Sequence, residues 1–487
     1  MNKKIALISV YNKEGIVDLA KKLKDTYIIL ASGGTAQALE DGGIEITRVD
    51  DYTGSPEILG GRVKTLHPRI YGGILSRATD DHKKQLAEND MKEIDLVICN
   101  LYPFEKTLEE GATEEEIIEM IDIGGPTMLR AAAKNFERVT VICDPEDYRD
   151  VLEKKDDRGY RKYLAAKVFS TVTRYDLAIA KYMGSTNGIL GEQVRKLRYG
   201  ENPHQQASLY SSGELFYEQI SGKEVSYNNI LDVKEGWTLV QEFEKPACVV
   251  IKHRTPCGVG VADTVAEAYN SALVGDKMSS FGGVYCFNCP LDKAAAELLS
   301  KMFVDVLIAP DYSDEALGII SKKKTVLLKS TGAKRLDRDI HEIPGGFVMQ
   351  ESNRHELSEG DYKVVTEKGA DESTIEELLF AWKVVKNSRS NAIAICKGST
   401  ALGIGSGQTS RIDAAKLAVE KAGDEVHGAV LASDAFFPFR DTVDFVAGAG
   451  IKAIIVPSGS IRDQESIDAA NEHGIVMIHT KFRSFKH

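Results

Sequence analysis

The sequence predicts an α/β protein in which a parallel-sheet domain is followed by a second, larger α/β region. In the first part of the chain, short apolar runs alternate with amphipathic stretches, as in a parallel sheet with helices on both faces. A run of glycine and small polar residues at 184–191 is typical of a linker. The length of 487 residues allows two to four domains. We therefore expect domains at 1–190 and 191–487.

The elements of the first domain follow from hydrophobic periodicity. Strands are predicted where apolar residues run together, and helices where they recur every three or four positions. A charged break at Asp156–Arg158 precedes the last helix. The predicted order is strand Lys4–Val10, helix Lys13–Lys24, strand Tyr27–Ala31, a helix over 36–40, strands Leu96–Cys99 and Val139–Cys143, and a helix from Tyr160 to Tyr182.

A weak internal repeat is expected in the second region, with halves at roughly 191–360 and 361–487. Two unrelated α/β units would give much the same pattern. The repeated order is loop, helix, apolar strand and proline, found as Ser280–Gly283, Lys293–Phe303, Val306–Ala309 and Pro310, and again as Asp434–Phe437, Thr442–Gly448, Ala453–Val456 and Pro457.

Composition narrows the class of protein. The net charge is −12, which argues against a general nucleic-acid scaffold but leaves room for a local basic pocket that binds a small anion. The apolar run Ile5–Val10 is too short for a signal peptide, and no run is long enough to span a membrane. Seven cysteines do not suggest a disulfide framework, so we expect a cytoplasmic protein.

Cys286 and Cys289 form a C-x-x-C pair without a second pair or a suitable histidine pair. Half-buried strand cysteines are the favoured interpretation, and metal or redox chemistry is the alternative.

Two segments of the first domain carry polar residues that a core does not need. In Gly60–Pro68, Arg62 and Lys64 lie on one side if the backbone is extended, and two glycines permit close approach of a phosphate. In Asp122–Asn135, a turn leads into an alanine-rich helix, so a carboxylate and Lys134 are candidates for proton transfer. The alternatives are a solvated basic turn and a helix with a surface lysine.

In the second region, the apolar strand that ends at Lys252 leads directly into His253. Strand ends in α/β domains face the ligand crevice, and the charge of the lysine favours a neutral, basic imidazole. A structural histidine is the alternative. Polar loops at 198–205, 388–391 and 403–408 lack a dinucleotide or P-loop fingerprint. Three phenylalanines within 433–441 suit a slot for a flat heterocycle or, alternatively, a hydrophobic plug.

Taken in order, four strings closely resemble the bifunctional purine-biosynthesis family that combines AICAR transformylase with IMP cyclohydrolase. The resemblance covers nearly the whole chain. The strings are Leu59–Pro68, Asp122–Asn135, Leu197–Gln205 and Ser433–Asp441.

This resemblance implies both fold and activity. The N-terminal domain would be methylglyoxal-synthase-like and would cyclise formyl-AICAR to IMP with loss of water. The C-terminal region would consist of two cytidine-deaminase-like α/β subdomains that formylate AICAR with 10-formyltetrahydrofolate. The family dimerises, and its transformylase sites use residues of both subunits. The implied ligands are small molecules, with no nucleic acid and no membrane.

The resemblance also implies roles for individual residues in formyl transfer. His253 would be the base, Lys252 would assist charge and proton handling, and Asn391 would orient the carboxamide and formyl groups. The nucleotide would be bound by Arg198, Tyr199, Gly282, Asp305, Arg483 and Phe485. The folate would be bound by Phe281, Ile412, Phe436, Pro438 and Asp441.

For cyclisation, the resemblance gives Lys64, Tyr102, Asp122 and Lys134 as catalytic candidates, with Asn100 beside the base. Ser9, Lys13, Ser32, Gly34, Thr35, Arg62 and Thr65 would bind the phosphate side of the nucleotide. Tyr11 and Asn12 stand where some relatives have Ser-Asp, which weakens any claim on those two side chains.

Two rival functions remain open from the sequence. A zinc-dependent nucleoside deaminase with a regulatory domain would share the expected fold. The usual H-x-E and P-C-x-x-C ligands are missing, because Pro256-Cys257 continues as Gly258-Val259-Gly260, so we expect no metal. A ligand sensor without catalysis is the second rival, and the presence of Lys252, His253 and Lys64 argues against it.

Overall fold

The computed structural model describes residues 3–154, 157–184, 188–332 and 336–487. The chain divides into two compact units, Met1–Glu192 and Gln193–His487. The linker expected at 184–191 and the charged break at 156–158 fall partly outside the described residues, at 185–187 and 156.

The first unit contains a five-stranded parallel sheet with the order β3-β2-β1-β4-β5. Its long strands are apolar on both faces because helices cover both sides. The bounds are β1 Lys4–Val10, β2 Tyr27–Ala31, β3 Thr47–Arg48, β4 Leu96–Asn100 and β5 Thr140–Ile142.

Each helix predicted in this unit is present with bounds that shift by a few residues, and the structure has further helices between them. The first helix begins at Ile16 rather than Lys13, after a left-handed Gly15. Short 3₁₀ turns occupy Leu59–Gly61 and Pro145–Asp147. The α-helices are α1 Ile16–Leu23, α2 Gly33–Asp41, α3 Val49–Thr53, α4 Pro68–Leu75, α5 Asp80–Glu88, α6 Phe104–Glu109, α7 Glu114–Glu119, α8 Gly124–Lys134, α9 Tyr148–Lys154 and α10 Arg158–Tyr182.

The second unit is built on a twelve-stranded mixed sheet, ordered β16-β21-β20-β19-β17-β18-β10-β9-β11-β12-β13-β8. Two further strand pairs, β6-β7 and β14-β15, form separate two-stranded sheets. The bounds are β6 Glu192–Leu197, β7 Ala207–Ser211, β8 Tyr217–Ser221, β9 Ala247–Lys252, β10 Thr255–Val261, β11 Val284–Phe287, β12 Val306–Ala309, β13 Val326–Ser330, β14 Arg338–Ile343, β15 Gly346–Glu351, β16 Tyr362–Val364, β17 Ile393–Lys397, β18 Thr400–Gly405, β19 Val430–Ser433, β20 Ala453–Pro457 and β21 Val476–Thr480.

Helices cover both faces of this sheet. One core cluster joins the sheet to α11 and α16 on one face, and two further clusters lie under the remaining helices on the other. None of the helices in the described ranges is long and apolar enough to cross a membrane. The bounds are α11 Tyr227–Val240, α12 Val265–Ala272, α13 Lys277–Ser280, α14 Lys293–Leu299, α15 Asp314–Ile320, α16 Glu372–Lys386, α17 Arg411–Ala422, α18 Asp441–Gly448 and α19 Asp463–Glu472, with 3₁₀ turns at Glu359–Asp361 and Gly423–Val426.

The large sheet consists of two matching halves, β8–β13 and β16–β21, which join where β10 pairs with β18. The match extends to close backbone contacts. A Cβ on Gly258 would lie 2.0 Å from the carbonyl oxygen of Ala272 on α12, and one on Gly403 would lie 2.1 Å from that of Ala418 on α17. Only glycine lets these strands approach their helices so closely.

The expected repeat is therefore right in its helices and strands but wrong in its loops. Ser280–Gly283 precedes β11, whereas Asp434–Phe437 follows the equivalent strand β19. The two loops lie at opposite ends of equivalent strands, and their similarity in sequence has no structural counterpart.

Candidate active sites

A cavity of about 540 Å³ opens at the carboxyl ends of β1, β2 and β4 in the first unit. This is the edge where the strand order reverses, the usual ligand crevice of an open α/β sheet. The start of α8 forms part of its wall. Among its lining residues are Ser9, Lys13, Ser32, Gly34, Thr35, Arg62, Lys64, Thr65, Asn100, Tyr102 and Asp122, which are all the cyclisation candidates except Lys134.

One end of the cavity is suited to an anion. A Cβ on Gly33 would lie 3.4 Å from Lys64 Nζ, and one on Gly34 would lie 3.7 Å from Lys13 Nζ, so two ammonium groups converge on the start of α2. The buried Ser32 hydroxyl has no hydrogen-bond partner there. Helix N-terminal amides, cations and an unpaired hydroxyl are the groups that bind phosphate.

Two residues expected at the ligand instead hold the backbone around it. The Thr35 hydroxyl accepts the N–H of Val10 at 2.9 Å and donates to its carbonyl at 3.0 Å. Asn100 Oδ1 accepts the N–H groups of Tyr11 and Asn12, at 2.6 and 3.0 Å, and its Nδ2 donates to the Asn12 carbonyl at 2.9 Å. Both side chains line the cavity while their polar atoms secure the end of β1.

The segment that carries Arg62 and Lys64 is not extended. It forms the 3₁₀ turn Leu59–Gly61, closed by a bridge between Ile58 and Val63, because glycines at positive φ permit the reversal. The expected alternation of Arg62 and Lys64 is therefore wrong, although both reach the cavity. Arg62 forms an ion pair with Glu119 at the cavity wall.

Asp122 lies at the turn before α8. Its Oδ1 accepts the N–H of Gly125 at 2.8 Å. Burial raises the pKa of the Asp122 carboxyl, while backbone N–H bonds and the nearby Lys64 oppose that rise. A carboxyl whose pKa is raised, beside a lysine in a cavity, is suited to proton transfer.

Lys134 is the candidate that the structure does not bring to this cavity. It is the last residue of α8, exposed to solvent, and about 15 Å from the Gly124 end of the helix at 1.5 Å per residue. Arg130 is exposed as well, with its guanidinium 5.8 Å from the Phe169 ring centroid. An alanine-rich helix would allow both side chains to lie near other backbone, but both are exposed.

In the second unit, the formyl-transfer candidates gather along one edge of the large sheet. Because β9 and β17 belong to halves that run in opposite directions, the end of β9 and the start of β17 share this edge. The candidates there are Lys252 and His253 after β9, Phe281 and Gly282 before β11, Asp305 before β12, Asn391 before β17, Phe436 after β19, and Arg483 and Phe485 after β21.

Lys252 and His253 have distinct environments. The Lys252 ammonium is half-buried and donates to the carbonyls of Phe281 and Gly282 at 3.0 and 3.2 Å. His253 is exposed, in the two-residue turn between β9 and β10. The lysine is thus fixed, and the imidazole is free to face a ligand.

Asn391 belongs to a hydrogen-bonded network that includes the C-terminal segment. Its Nδ2 donates to the Gln408 carbonyl at 2.9 Å. The preceding residue, Ser390, donates its N–H to the Lys486 carbonyl at 2.9 Å and its hydroxyl to the buried Asp434. The segment with Arg483 and Phe485 is therefore held next to Asn391.

The residues predicted to bind the nucleotide make two kinds of contact. The Asp305 carboxylate accepts from Lys223 Nζ and Asn229 Nδ2, both at 2.9 Å. The guanidinium groups of Arg198 and Arg483 instead lie over the adjacent rings of Tyr199 and Phe485, at 4.6 and 4.9 Å from the ring centroids. These exposed cation–aromatic pairs are available to an anionic ligand.

The aromatic segment 433–441 does not form a slot by itself. Phe437 is buried in the core, Phe436 is half-buried, and the exposed Phe439 ring lies under the Arg462 guanidinium at 5.0 Å. Pro438 and Asp441 are exposed, and Asp441 Oδ1 accepts the N–H of Thr442. Ile412 is half-buried on α17, and Phe281 is 60% exposed beside Phe303.

The two cysteines of the C-x-x-C pair differ in burial. Cys286 is fully buried in β11, and Cys289 is partly exposed. Within the described ranges, no group of three or more His, Cys, Asp or Glu residues is arranged to hold a metal ion.

Two family models match the chain. Residues 15–127 match the MGS-like domain, and residues 132–421 match the AICARFT/IMPCHase bienzyme. The chain belongs to the AICARFT/IMPCHase bienzyme family. Membership confirms the resemblance read from the four sequence strings, and the α/β architecture of both units agrees with the predicted fold class.

Relatives of this bienzyme family align along the full length of the chain. A protein from Caldicellulosiruptor saccharolyticus, named bifunctional purine biosynthesis protein PurH, is 48% identical and covers 100% of both chains. Proteins of the same name from a Nostoc species and from Acetivibrio thermocellus are 47% and 46% identical, over 99% of this chain and 100% of each relative.

Sequence reasoning missed two residues of these sites, Tyr175 and Asp232. Both lie within helices, α10 and α11, and act through backbone hydrogen bonds to residues distant in sequence. No local motif marks such contacts.

Proposed function

We propose that this bienzyme carries out its two reactions at separate sites, cyclisation in the first unit and formyl transfer in the second. The chain is an AICAR formyltransferase and IMP cyclohydrolase of purine biosynthesis, as its family and full-length relatives indicate. The observation that carries the division is the cavity of the first unit, which is lined by every cyclisation candidate but one.

Cyclisation requires orientation and proton transfer. The carboxamide nitrogen attacks the formyl carbon, and a carbon–nitrogen bond forms. The oxygen leaves as water after it gains two protons, which balance one proton lost by the carboxamide nitrogen and one lost by the formamido nitrogen as that nitrogen forms a double bond to the carbon. Asp122 would accept a proton from the nitrogen, and Lys64 would protonate the departing oxygen; the presence of both side chains at the cavity supports these roles. Holding the two reacting groups of one substrate together supplies much of the rate.

The phosphate of formyl-AICAR would lie at the start of α2, near Ser32, Lys13 and Lys64. The convergent ammonium groups and the unpaired hydroxyl support this placement. Arg62 would exchange Glu119 for a substrate oxygen, since an ion pair at an exposed wall contributes little stability.

In formyl transfer, the weakly nucleophilic amino group of AICAR attacks the formyl carbon of 10-formyltetrahydrofolate. The new carbon–nitrogen bond forms as the bond to folate nitrogen breaks. His253 removes a proton from the amine, and the departing folate nitrogen gains a proton to give tetrahydrofolate. Lys252 stabilises negative charge on the formyl oxygen, and Asn391 orients the carboxamide. The shared sheet edge supports these roles.

The proposal includes 10-formyltetrahydrofolate as co-substrate and a second copy of the chain. Phe281, Ile412, Phe436, Pro438 and Asp441 would contact 10-formyltetrahydrofolate as a co-substrate, and a homodimer would complete that site. The exposed Phe281 side chain supports contact with a further surface. Seven free cysteines support a reducing, cytoplasmic location.

The test supplies purified protein with AICAR and 10-formyltetrahydrofolate and follows tetrahydrofolate and IMP separately. Release of both products in equal amounts is expected. Absence of tetrahydrofolate release contradicts formyl transfer, and accumulation of formyl-AICAR without IMP contradicts cyclisation.

A further inference from the structure

The turn that carries His253 has an unusual backbone conformation. φ is 51° at His253 and 62° at Arg254, and the strands close around them with Lys252 opposite Thr255. A two-residue turn with positive φ at both positions favours glycine or asparagine, because a larger side chain is crowded in the left-handed region. Such a conformation persists only where neighbouring groups hold it.

The matching half of the sheet has an equivalent turn that carries no histidine. Between β17 and β18, the equivalent position is Gly398, with φ of 55°. The flanking contacts are equivalent too, since Lys397 Nζ donates to the His427 carbonyl as Lys252 Nζ donates to that of Phe281. The fold therefore accepts glycine in this turn, and histidine is present at a conformational cost.

A carboxylate on α11 offsets that cost. Asp232 Oδ1 accepts the N–H of Arg254 at 2.7 Å, and the same carboxylate is hydrogen-bonded to the backbone of His253. One helical turn further on, Glu235 accepts from Arg254 Nη2 at 3.0 Å. Burial raises the pKa of the Asp232 carboxyl, and these backbone bonds oppose that rise.

The equivalent helix, α16, lacks this arrangement. The two helices align at their N-caps, Ser226 and Asp371, and this alignment places Glu377 at the position of Asp232. Glu377 Oε2 is paired with Lys452 Nζ at 2.9 Å instead. The carboxylate that binds the turn thus occurs in the half of the sheet whose turn carries the histidine.

We propose that Asp232 is a positioning residue for formyl transfer: its carboxylate fixes the His253–Arg254 turn and so sets where the imidazole meets the amino group of AICAR. This role rests on the proposed function, in which His253 is the base. Asp232 itself touches neither substrate.

The experiment uses the full chain with Asp232→Ala, Asp232→Asn, Glu377→Ala and His253→Ala. Formyl transfer in Asp232→Ala should lose about 10- to 100-fold in kcat, since small misplacement of a reacting group has effects of that order, with KM for AICAR within about twofold. Asp232→Asn keeps an oxygen acceptor for the two N–H groups and should recover most of kcat. Glu377→Ala, the matched control, should stay within about twofold of wild type.

Circular dichroism and thermal unfolding, measured on the same preparations, report whether the second unit is folded. A wild-type kcat in Asp232→Ala with an inactive His253→Ala overturns the positioning role alone. Formyl transfer by His253→Ala overturns the proposed function. Equal losses in the Ala and Asn variants overturn the backbone-holding role. If Asp232→Ala does not fold, Asp232→Glu displaces the carboxylate by one methylene, and an unchanged kcat in that variant overturns the proposal.

Discussion

The Tyr175 hydroxyl accepts the backbone N–H of Asp122 at 2.6 Å. The same hydroxyl donates to the carbonyl of Met120 at 2.6 Å, so one side chain on α10 joins both ends of the turn that leads into α8. This turn delivers Asp122 to the cavity. Its geometry therefore depends on a phenol far away in sequence.

Tyr175→Phe should lower kcat for cyclisation by about 5- to 20-fold, because two hydrogen bonds worth roughly 1 kcal/mol each no longer hold the turn. The ring contact with Phe104, at 6.2 Å between centroids, is kept. Tyr182→Phe is the matched control, since Tyr182 packs on the same Phe104 at 5.8 Å. Steady-state kinetics with formyl-AICAR measure the difference, and equal rates in both variants would count against the role of the hydroxyl.

Substitutions of Lys64 and Lys134 should differ sharply in their effect on cyclisation. Lys64 lines the cavity, whereas Lys134 is exposed at the far end of α8. Lys64→Ala should reduce cyclisation by at least about 100-fold, the usual scale for loss of a proton-transfer group. Lys134→Ala should remain within about threefold. A comparable loss in the Lys134 variant would restore that residue to the catalytic set.

As the pH rises, ionisation of Asp122 should increase cyclisation activity and decrease the stability of the fold. Its folded pKa lies above the ordinary value of 3.8 because of burial, so the unfolded chain releases its proton first as the pH rises. The carboxyl therefore lowers stability progressively as pH rises from the unfolded to the folded pKa. Asp122→Asn should abolish cyclisation and raise the unfolding temperature at pH 7 by roughly 2 °C. Calorimetry at pH 7 and at pH 4 measures this, and a gain no larger at pH 7 would contradict it.

The wild-type enzyme should lose cyclisation as the pH falls through the raised pKa of Asp122, because the protonated carboxyl cannot act as a base. A pH profile of kcat with formyl-AICAR locates this acidic limb. A limb at or below 3.8 would show that another group is the base.

Substitutions of Ser32 and Thr35 should distinguish a hydroxyl that binds phosphate from a hydroxyl that supports the fold. The Ser32 hydroxyl is unpaired, whereas that of Thr35 is bonded twice to Val10. Ser32→Ala should raise KM for formyl-AICAR about 5- to 10-fold at nearly constant kcat. Thr35→Val should lower the free energy of unfolding by about 1–2 kcal/mol, because the bonded backbone groups of Val10 lose their partner. Kinetics and urea titration measure the two effects, and a KM effect confined to Thr35→Val would reverse the assignment.

The sequence predicts the parts of the fold that depend on local patterns. Lys4–Val10, Tyr27–Ala31 and Val306–Ala309 are mainly apolar runs, and each forms a strand with the expected bounds. The joining of β10 to β18 depends on contacts between residues about 140 positions apart, which no local period encodes.

The residues of the candidate sites, too, could be predicted only where a local sequence string marks them. Lys64 and Asp122 stand in dense polar strings and reach the cavity as expected. Lys134 is part of such a string too, but the straight axis of α8 carries it away from the cavity. Tyr175 and Asp232 act from helix interiors on distant backbone, so sequence spacing gives no sign of them.

Reciprocal inactivation tests whether the two reactions occupy two separate sites. His253→Ala and Lys64→Ala are each assayed for formyl transfer and for cyclisation of supplied formyl-AICAR. We predict that His253→Ala loses only formyl transfer, that Lys64→Ala loses only cyclisation, and that a mixture of the two converts AICAR to IMP. Loss of both activities in either folded variant would show that the two reactions do not have separate sites.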